Sequence, residues 1–258
     1  MNPADGFDPE AYWETRLRTR PDLRGTGHRG FSVAYNREMY AVATDRLRDA
    51  LSKAGISLAG TRVLDVGAGL GYFVECYVEW GAAQVTGVDI TQASVETLRR
   101  RYPAHTFVQA DISSPELSLP GDYDLVFAIS ILYHIVDEQR FERALAHLCS
   151  RVRPGGHLVL VDSFHKPLFP TAPHTRLRAL EAYVSVLDRF GFRVVALKPM
   201  YFLMGRAFVP VVGPKVLSWP LVLRRLLQLE RSLGTRLRSN LNGLKILIAL
   251  RSEPASSA

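Results

Sequence analysis

Short apolar runs alternate with amphipathic stretches along most of this chain, and that alternation predicts its secondary structure. Apolar runs predict six strands, and a seventh strand is predicted late in the chain. These runs occupy residues 63–66, 84–90, 105–112, 123–129, 157–162, 192–197 and 244–250. Stretches with helical spacing separate most of them, and strands that alternate with helices indicate an α/β fold with a mostly parallel sheet.

A glycine-rich turn follows the first predicted strand. Asp65 closes the apolar run, and Gly67, Gly69 and Gly71 follow at alternate positions before a stretch that can start a helix. Glycine permits positive φ and close approach of a ligand, while a helix start offers N–H groups to an anion. The dinucleotide-binding fingerprint would need its third glycine where Tyr72 stands. The segment resembles instead the first motif of the class I S-adenosylmethionine-dependent methyltransferases.

This resemblance assigns cofactor contacts to three successive strand ends. It implies that the glycine turn passes under the amino-acid end of S-adenosylmethionine and that Asp65 holds its ammonium group. Asp89 would accept hydrogen bonds from both ribose hydroxyls, or it could instead cap the next helix. Asp111 would bind the adenine amino group. The residues predicted to contact the cofactor are Asp65, Gly67, Ala68, Gly69, Asp89, Ile90, Asp111, Ile112, Ile129 and Tyr12.

Candidate catalytic residues follow strands four and five. His134 lies in a segment that resembles the one after strand four in small-molecule methyltransferases, with Tyr133 where a histidine usually stands. A histidine there can be a general base, or it can be structural and shape the pocket. His165 and His174 are the other predicted bases, although their proline-rich loop would equally hold them on the surface. The predicted substrate pocket is Tyr35, Tyr133, Asp162, Met200 and Phe202, and no metal is predicted.

The resemblance also sets the predicted architecture. We expect a Rossmann-like, seven-stranded, mostly parallel sheet with an antiparallel last strand. Residues 1–258 would form a single methyltransferase domain with a helical lid at 1–59, the core sheet at 60–198 and 244–251, and a helical cap insertion at 199–243. Aromatic residues near the N-terminus favour a lid, although they could simply pack on the sheet. These residues are Tyr12, Trp13, Tyr35 and Tyr40.

Charge is unevenly distributed along the chain. The net charge is +7, and residues 200–258 hold nine basic and two acidic side chains, which equals the whole excess. A basic excess suits nucleic acid, a membrane surface or an acidic substrate, and it also arises from a solvated helix face. The first residues do not resemble a signal peptide, and no uninterrupted apolar stretch reaches 18 residues, so we expect a cytoplasmic protein. Cys76 and Cys149 are expected to be buried free thiols.

The predicted function is methyl transfer from S-adenosylmethionine to a hydroxyl or carbon of a largely apolar or aromatic small molecule, in the manner of bacterial small-molecule (type 11/12-like) methyltransferases acting in biosynthesis. One alternative is a cofactor-binding protein of this fold without methyl transfer. Another is an RNA methyltransferase that uses the basic insertion. The Asn/Asp-Pro-Pro-Tyr/Phe tetrad, which is common in enzymes that methylate DNA, is absent after strand four. DNA is therefore not expected as a partner, and RNA ranks below a small molecule. Membrane-surface contact and a monomer or homodimer stay open.

Overall fold

A seven-stranded mixed sheet forms the centre of the protein in the computed structural model, which describes residues 7–119, 121–166, 172–204, 213–237 and 243–253. The strands are β1 (Arg62–Val66), β2 (Gln84–Asp89), β3 (Thr106–Gln109), β4 (Tyr123–Ile129), β5 (Val152–Asp162), β6 (Phe192–Pro199) and β7 (Lys245–Arg251). Their order is β3-β2-β1-β4-β5-β7-β6, and β7 is antiparallel to both of its neighbours. The predicted fold class and the antiparallel last strand are confirmed.

Helices cover both faces of this sheet. The helices before β1 are α1 (Pro9–Thr19), α2 (Leu23–Thr26) and α3 (Val33–Lys53). The crossover helices are α4 (Tyr72–Glu79), α5 (Gln92–Arg101), α6 (Glu138–Arg151) and α7 (Leu180–Arg189). A 3₁₀ turn at Leu132–His134 follows β4, and α8 (Pro214–Leu217) and α9 (Pro220–Arg236) precede β7. Side-chain oxygens cap several of these helices, as when Ser32 accepts the Tyr35 N–H and Asp137 accepts the Arg140 N–H.

Two apolar clusters lie on opposite faces of the sheet because successive side chains of a strand point to opposite sides. Val159 of β5 joins the cluster that contains Leu47 of α3 and Leu226 of α9. Leu160, the next residue, joins the cluster that contains Phe141 of α6. The N-terminal helices and the insertion thus share one apolar layer against the sheet. Cys76 and Cys149 are buried free thiols, as expected.

Several predicted boundaries differ from the structure. Helix α7 begins only at Leu180, because the buried Arg178 side chain donates to the Ile135 carbonyl and to Glu138 and holds its own segment out of a helix. The third strand ends at Gln109, because Asp111 accepts the Ser113 N–H and turns the chain. Strand β5 starts at Val152, five residues earlier than predicted.

The insertion is helical at residues 214–217 and 220–236, whereas its described residues 200–204 are not helical. The predicted basic helix at 221–237 is observed as α9. Residues 205–212 and 238–242 of the predicted cap and residues 1–6 of the predicted lid lie outside the described residues. The order of the parallel strands reverses between β1 and β4, and their carboxyl ends form the edge where ligands bind in open α/β sheets.

Candidate functional site

The glycine turn after β1 packs closely against neighbouring segments. Gly67 has φ 78°, and a Cβ added there would lie 2.1 Å from Cδ1 of Ile131. The Gly67 N–H donates to the Val88 carbonyl at 2.7 Å, and the Ser94 hydroxyl donates to the Gly69 carbonyl at 2.6 Å. Glycine is therefore required at position 67 by both backbone conformation and space.

Asp89, at the end of β2, is tied to this turn. Its Oδ2 accepts the Gly69 N–H at 2.8 Å, and its Oδ1 accepts both the N–H and the hydroxyl of Thr91. Burial raises the pKa of Asp89, and these three bonds offset part of the rise. The N-cap of α5 is Thr91, so Asp89 positions the cap rather than acting as the cap itself. A carboxylate accepts about four bonds, which leaves Asp89 room for about one more donor.

Asp65 is a buried carboxylate with little compensation. Its side chain lies on the cavity, yet the residue is 3% exposed, and the hydrogen bond observed for it is a long one from the Tyr77 hydroxyl at 3.5 Å. Burial, together with the nearby charge of Asp89, raises the pKa of Asp65 to about 7. Among the described residues, no basic side chain forms an ion pair with it. The site therefore favours a cationic group beside Asp65.

Asp111 follows β3 and is held by neighbours within the chain. One carboxylate oxygen accepts the N–H and hydroxyl of Ser113, and the other pairs with Arg140 at 2.5 Å. Both members of the ion pair line the cavity and are partly exposed. Asp111 is thus oriented toward the cavity by Arg140, a residue that sequence reasoning did not single out.

One cavity of about 390 Å³ joins these groups. That volume falls within the range of small-molecule sites in proteins. The glycine turn and the three carboxylates line it at or after the ends of β1, β2 and β3, which we call its polar end. Histidines and apolar side chains line it after β4, β5 and β6, which we call its apolar end. The predicted cofactor and catalytic residues that line it are Asp65, Gly67, Ala68, Gly69, Asp89, Ile90, Asp111, Ile112, Ile129, His134, His165 and His174.

The three histidines meet at this cavity. His134 and His174 stack with ring centroids 5.6 Å apart, and the Nδ1 of His134 lies 3.1 Å from the His174 carbonyl. The Nδ1 of His165 lies 2.8 Å from the Lys166 carbonyl, which can only accept, so that nitrogen carries the proton. The Nε2 of His165 is buried and has no hydrogen-bond partner among the described residues. His165 therefore presents an acceptor nitrogen on a side chain that lines the cavity.

Backbone strain concentrates at the same edge of the sheet. Ser130 and Phe164 are the two non-glycine residues with positive φ in the described part of the chain, at 60° and 51°. They follow the carboxyl ends of β4 and β5, and Ser130 lines the cavity. Such strain persists only where surrounding structure enforces it, and it clusters at functional sites.

The N-terminal helices form one wall of the cavity. Trp13 of α1 lines it and lies edge-on to His134, with centroids 4.9 Å apart. Glu14 accepts the Ala93 N–H at 3.1 Å, which fastens α1 to the start of α5. Tyr12, the predicted cofactor contact, packs against His174 instead and is not among the lining residues. Trp13, rather than Tyr12, lines the cavity, because the rotation of α1 decides which of the two neighbouring side chains faces it and sequence spacing does not reveal that rotation.

The predicted substrate residues divide into two groups. Tyr133 and Met200 line the cavity. Tyr35 does not line it, because it is fully buried and stacks on Phe31 with centroids 4.0 Å apart. Phe202 lies under the Arg46 guanidinium, away from the cavity. Tyr35 and Phe202 are therefore not part of the cavity lining.

Asp162 is also absent from the lining. It is buried below the cavity, and burial raises its pKa to about 6, although the Tyr183 hydroxyl and Ser163 favour its ionised form. Its role in the structure is to hold the β5 end, where it accepts the Ser163 N–H at 2.6 Å. Met204, which the predicted substrate pocket did not include, lines the cavity together with Met200 and Tyr201.

Comparison with known proteins shows what the central part of the chain is similar to. Residues 63–156 match the family model of the methyltransferase domain. The chain is 37% identical over 113 residues to a tRNA U34 carboxymethyltransferase of Dichelobacter nodosus, across 43% of this chain and 35% of that protein. It is 35% identical over 117 residues to a ubiquinone biosynthesis O-methyltransferase of Vibrio cholerae, across 44% of this chain and 46% of that one. The matches thus span less than half the length of either relative.

A solved structure extends the likeness to the whole fold. Magnesium protoporphyrin IX methyltransferase from Synechocystis with bound S-adenosylmethionine superimposes with a TM-score of 0.61 at 18% identity, across 96% of this chain and 99% of that chain. Residues 63–156 are therefore similar to a methyltransferase domain, and the chain has the fold of the class I S-adenosylmethionine-dependent methyltransferases. The resemblance drawn from the glycine turn and the three acids is confirmed, and S-adenosylmethionine is the cofactor of this class.

The residues present fit that cofactor. Asp65 is a buried carboxylate that lacks a cation among the described residues, and the amino-acid end of S-adenosylmethionine carries an ammonium group. The glycine turn leaves no Cβ between the cavity and the backbone at positions 67 and 69. Ile90 and Ile112 line the same cavity beside the carboxylates.

Two kinds of feature are absent from the described residues. None of their clusters of histidine, cysteine, aspartate and glutamate has three members placed to bind a metal ion. No helix within them combines the length and the apolar character that crossing a membrane requires.

Proposed function

We propose that this protein transfers the methyl group of S-adenosylmethionine to a hydroxyl or carbon of a largely apolar small molecule. The observation that carries the proposal is that Asp65 and the glycine turn line the same cavity as His165 and Met200. A polar end and an apolar end in one cavity suit two molecules that react with each other.

The polar end would hold the cofactor. Asp65 would bind its ammonium group, and Asp89 would accept a hydrogen bond from a ribose hydroxyl. Because Asp89 already accepts three bonds, the arrangement fits direct contact with one hydroxyl rather than with both. Asp111 would face the adenine amino group, with Ile90 and Ile112 against the ring system.

The apolar end would hold the acceptor. The bound cofactor supplies an electrophilic methyl group, so the task of the protein is to orient the acceptor atom and to exclude water. Met200 and Met204 are flexible apolar side chains that adapt to an irregular ligand. Trp13 closes the same space from the N-terminal side. The class of acceptor proposed is therefore apolar or aromatic.

A hydroxyl or acidic carbon must lose a proton when it is methylated. His165 is the proposed general base because its buried Nε2 is an acceptor without a partner among the described residues. His134 and His174 line the same space, and their stacking would orient the acceptor against Trp13 and Tyr133. Proton removal of this kind contributes about 10²–10⁴-fold in rate.

Two experiments test the proposal. Calorimetric titration of the protein with S-adenosylhomocysteine should show binding that Asp89→Ala weakens, and unchanged affinity would refute the ribose assignment. Incubation with methyl-labelled S-adenosylmethionine and a cell extract should then place the label in the fraction soluble in organic solvent.

The same incubation separates the alternatives. Label in the RNA fraction would favour an RNA methyltransferase, a function suggested by the basic excess and by the name of the Dichelobacter nodosus relative. Tight binding without any labelled product would favour a cofactor-binding protein that does not transfer a methyl group. Either result would overturn the small-molecule proposal.

A further inference from the structure

Exposed apolar side chains concentrate on one segment of the protein. Of the six large hydrophobic side chains that are exposed in the described residues, five lie between residues 216 and 237, and the sixth is Val195. Trp219 is 61% exposed, Leu221 69% and Leu229 57%. We call the exposed side chains of residues 215–237 the α8–α9 face. It comprises Lys215, Val216, Trp219, Pro220, Leu221, Arg224, Arg225, Gln228, Leu229, Arg231 and Leu237.

Helix α9 is apolar on both sides, which is unusual for a surface helix. Its inner side buries Leu223, Leu226 and Glu230 against the protein. At 100° per residue, Leu221 projects from the opposite side, and Leu229 lies about 80° around the helix from Leu221, with Arg225 between them. The inner side accounts for the packing of α9, so the outer leucines have no packing role in the described structure.

The α8–α9 face is also uniformly basic. Lys215, Arg224, Arg225 and Arg231 are exposed on it. The one acid in residues 213–237 is Glu230, which is 0% exposed and accepts the backbone N–H groups of residues 202, 203 and 204. Arg231 reaches Asp45 only at 4.0 Å, and both side chains are largely exposed, so this contact neutralises little of the charge.

From this combination we propose that the α8–α9 face docks on an anionic lipid surface. Cationic side chains beside exposed tryptophan and leucine are the features that hold an amphipathic helix in the plane of a membrane interface. Anionic lipid headgroups complement the four exposed cations, and the acyl boundary takes up the apolar side chains.

Two other partners for this face, a second copy of the chain and a nucleic acid, fit less well. A second copy of the chain would bring four cations against the same four cations in a two-fold contact, with no exposed acid on either face. A nucleic acid would satisfy the arginines through its phosphates but would leave Val216, Leu221 and Leu229 in water. The lipid surface alone uses both kinds of side chain.

Docking there would reach the cavity wall through Glu230. Its carboxylate accepts the N–H groups of Phe202, Leu203 and Met204 at 2.8, 2.6 and 3.0 Å. Met204 lines the cavity, so the helix that faces the lipid also fixes one wall of the site. An apolar compound dissolved in the membrane would meet the protein beside that wall. This last step rests on the proposed function, whereas docking itself does not.

The test is sedimentation of the full-length protein with vesicles. The probes are phosphatidylcholine vesicles with about one-third phosphatidylglycerol and vesicles of phosphatidylcholine alone. The protein should sediment with the anionic vesicles, less at high salt, and not with the neutral ones. Arg224→Ala with Arg225→Ala should weaken the partition about 30-fold, since each basic side chain near such a surface contributes about fivefold. The matched control, Arg48→Ala with Arg100→Ala, removes two exposed arginines elsewhere and should leave binding unchanged.

A second pair of variants tests the apolar contribution. Leu221→Ser with Leu229→Ser should weaken binding at a salt concentration where the arginines contribute little, and Val195→Ser should not. Equal loss in test and control variants, or no binding to anionic vesicles, would overturn the proposal. So would a dimer, seen by analytical ultracentrifugation without vesicle binding, that the leucine variants dissociate. Salt-sensitive binding of a labelled RNA that depends on Arg224 and Arg225, without vesicle binding, would assign the face to nucleic acid instead.

Discussion

Asp65 gives the sharpest test of the cofactor site because burying its carboxylate destabilises the folded protein when no cofactor is bound. The residue is 3% exposed, and its pKa is raised to about 7 by burial first and by the charge of Asp89 second. In the unfolded chain the pKa of an aspartate is about 3.9. A group whose pKa is raised by folding contributes its stabilisation below pH 3.9, and that stabilisation is lost as pH rises through 7. The difference of about three pKa units corresponds to about 4 kcal/mol between those limits.

Asp65→Asn removes this pH dependence because an amide does not ionise. At pH 8 without cofactor, we expect the variant to be more stable than the wild type by up to about 4 kcal/mol. For a chain of this length that corresponds to a rise of roughly 8–16 °C in Tm. Near pH 4 the two proteins should unfold almost together. Urea unfolding at pH 4, 6 and 8 measures the difference directly.

Asp124→Asn is the matched control, because it makes the same substitution where the pKa is shifted the other way. Burial tends to raise the pKa of Asp124, but the Arg62 N–H and the Arg153 side chain outweigh it, so the pKa is lowered. That carboxylate stabilises the fold above its unfolded pKa, and its loss should destabilise the protein at pH 8. Equal or lower stability of Asp65→Asn at pH 8, or a difference that does not change between pH 4 and 8, would refute the reasoning.

Asp65→Asn should also bind the cofactor poorly. An ammonium group beside an ionised, buried Asp65 would form a charged hydrogen bond worth about 1.5–3 kcal/mol, which is about 10–150-fold in Kd. Below pH 7 the wild type would have to release a proton from Asp65 on binding. Calorimetry with S-adenosylhomocysteine in buffers of different ionisation enthalpy should detect that proton for the wild type and not for Asp65→Asn.

Three further predictions concern other parts of the site. Gly67→Ala should cost about 2–5 kcal/mol in urea unfolding, because its Cβ would lie 2.1 Å from Ile131 and φ is 78°; Gly191→Ala, with φ 73° and open space, should cost only about 1–2 kcal/mol. Glu230→Gln should lower the free energy of unfolding by about 1–3 kcal/mol, because an amide oxygen replaces a charged acceptor of three N–H groups, and an unchanged value would show that these bonds contribute nothing. His165→Ala should reduce turnover about 10²–10⁴-fold once a substrate is known, with cofactor affinity unchanged, and wild-type turnover would remove His165 as the base.

The sheet and the polar end of the site could be predicted from sequence because local patterns determine them. An apolar run, a carboxylate and glycines at alternate positions define a strand, its end and a turn without reference to distant residues. Asp65, Asp89 and Asp111 each close such a run, and parallel strands bring their carboxyl ends to one edge. The structure accordingly places all three on one cavity.

The apolar end depended on packing between distant segments, which spacing does not encode. Tyr35 and Tyr40 lie on the same helix, yet Tyr35 packs into the core while Tyr40 lines the cavity. Trp13 rather than its neighbour Tyr12 faces the site, because contacts such as that of Glu14 with the start of α5 set the rotation of α1. An aromatic residue near a predicted lid therefore indicates a wall of the site but not which side chain forms it.

Glu230 shows that a charged residue in a basic helix need not lie on the exposed face that its sequence context indicates. In sequence it is one of two acids among nine basic residues after position 200, and a solvated helix face is the ordinary interpretation. In the structure Glu230 lies on the inner side of α9, and its carboxylate accepts the backbone N–H groups of residues 202–204, which follow β6 and lead past the cavity. Because the one acid points inward, the described exposed side chains of α9 are apolar, basic or neutral, and none of them is acidic. Glu230 thus holds Met204 in the cavity wall, and because its own negative charge is buried, the basic residues on the outer side are not neutralised by it. One helix therefore shapes both the proposed substrate wall and the surface beside it.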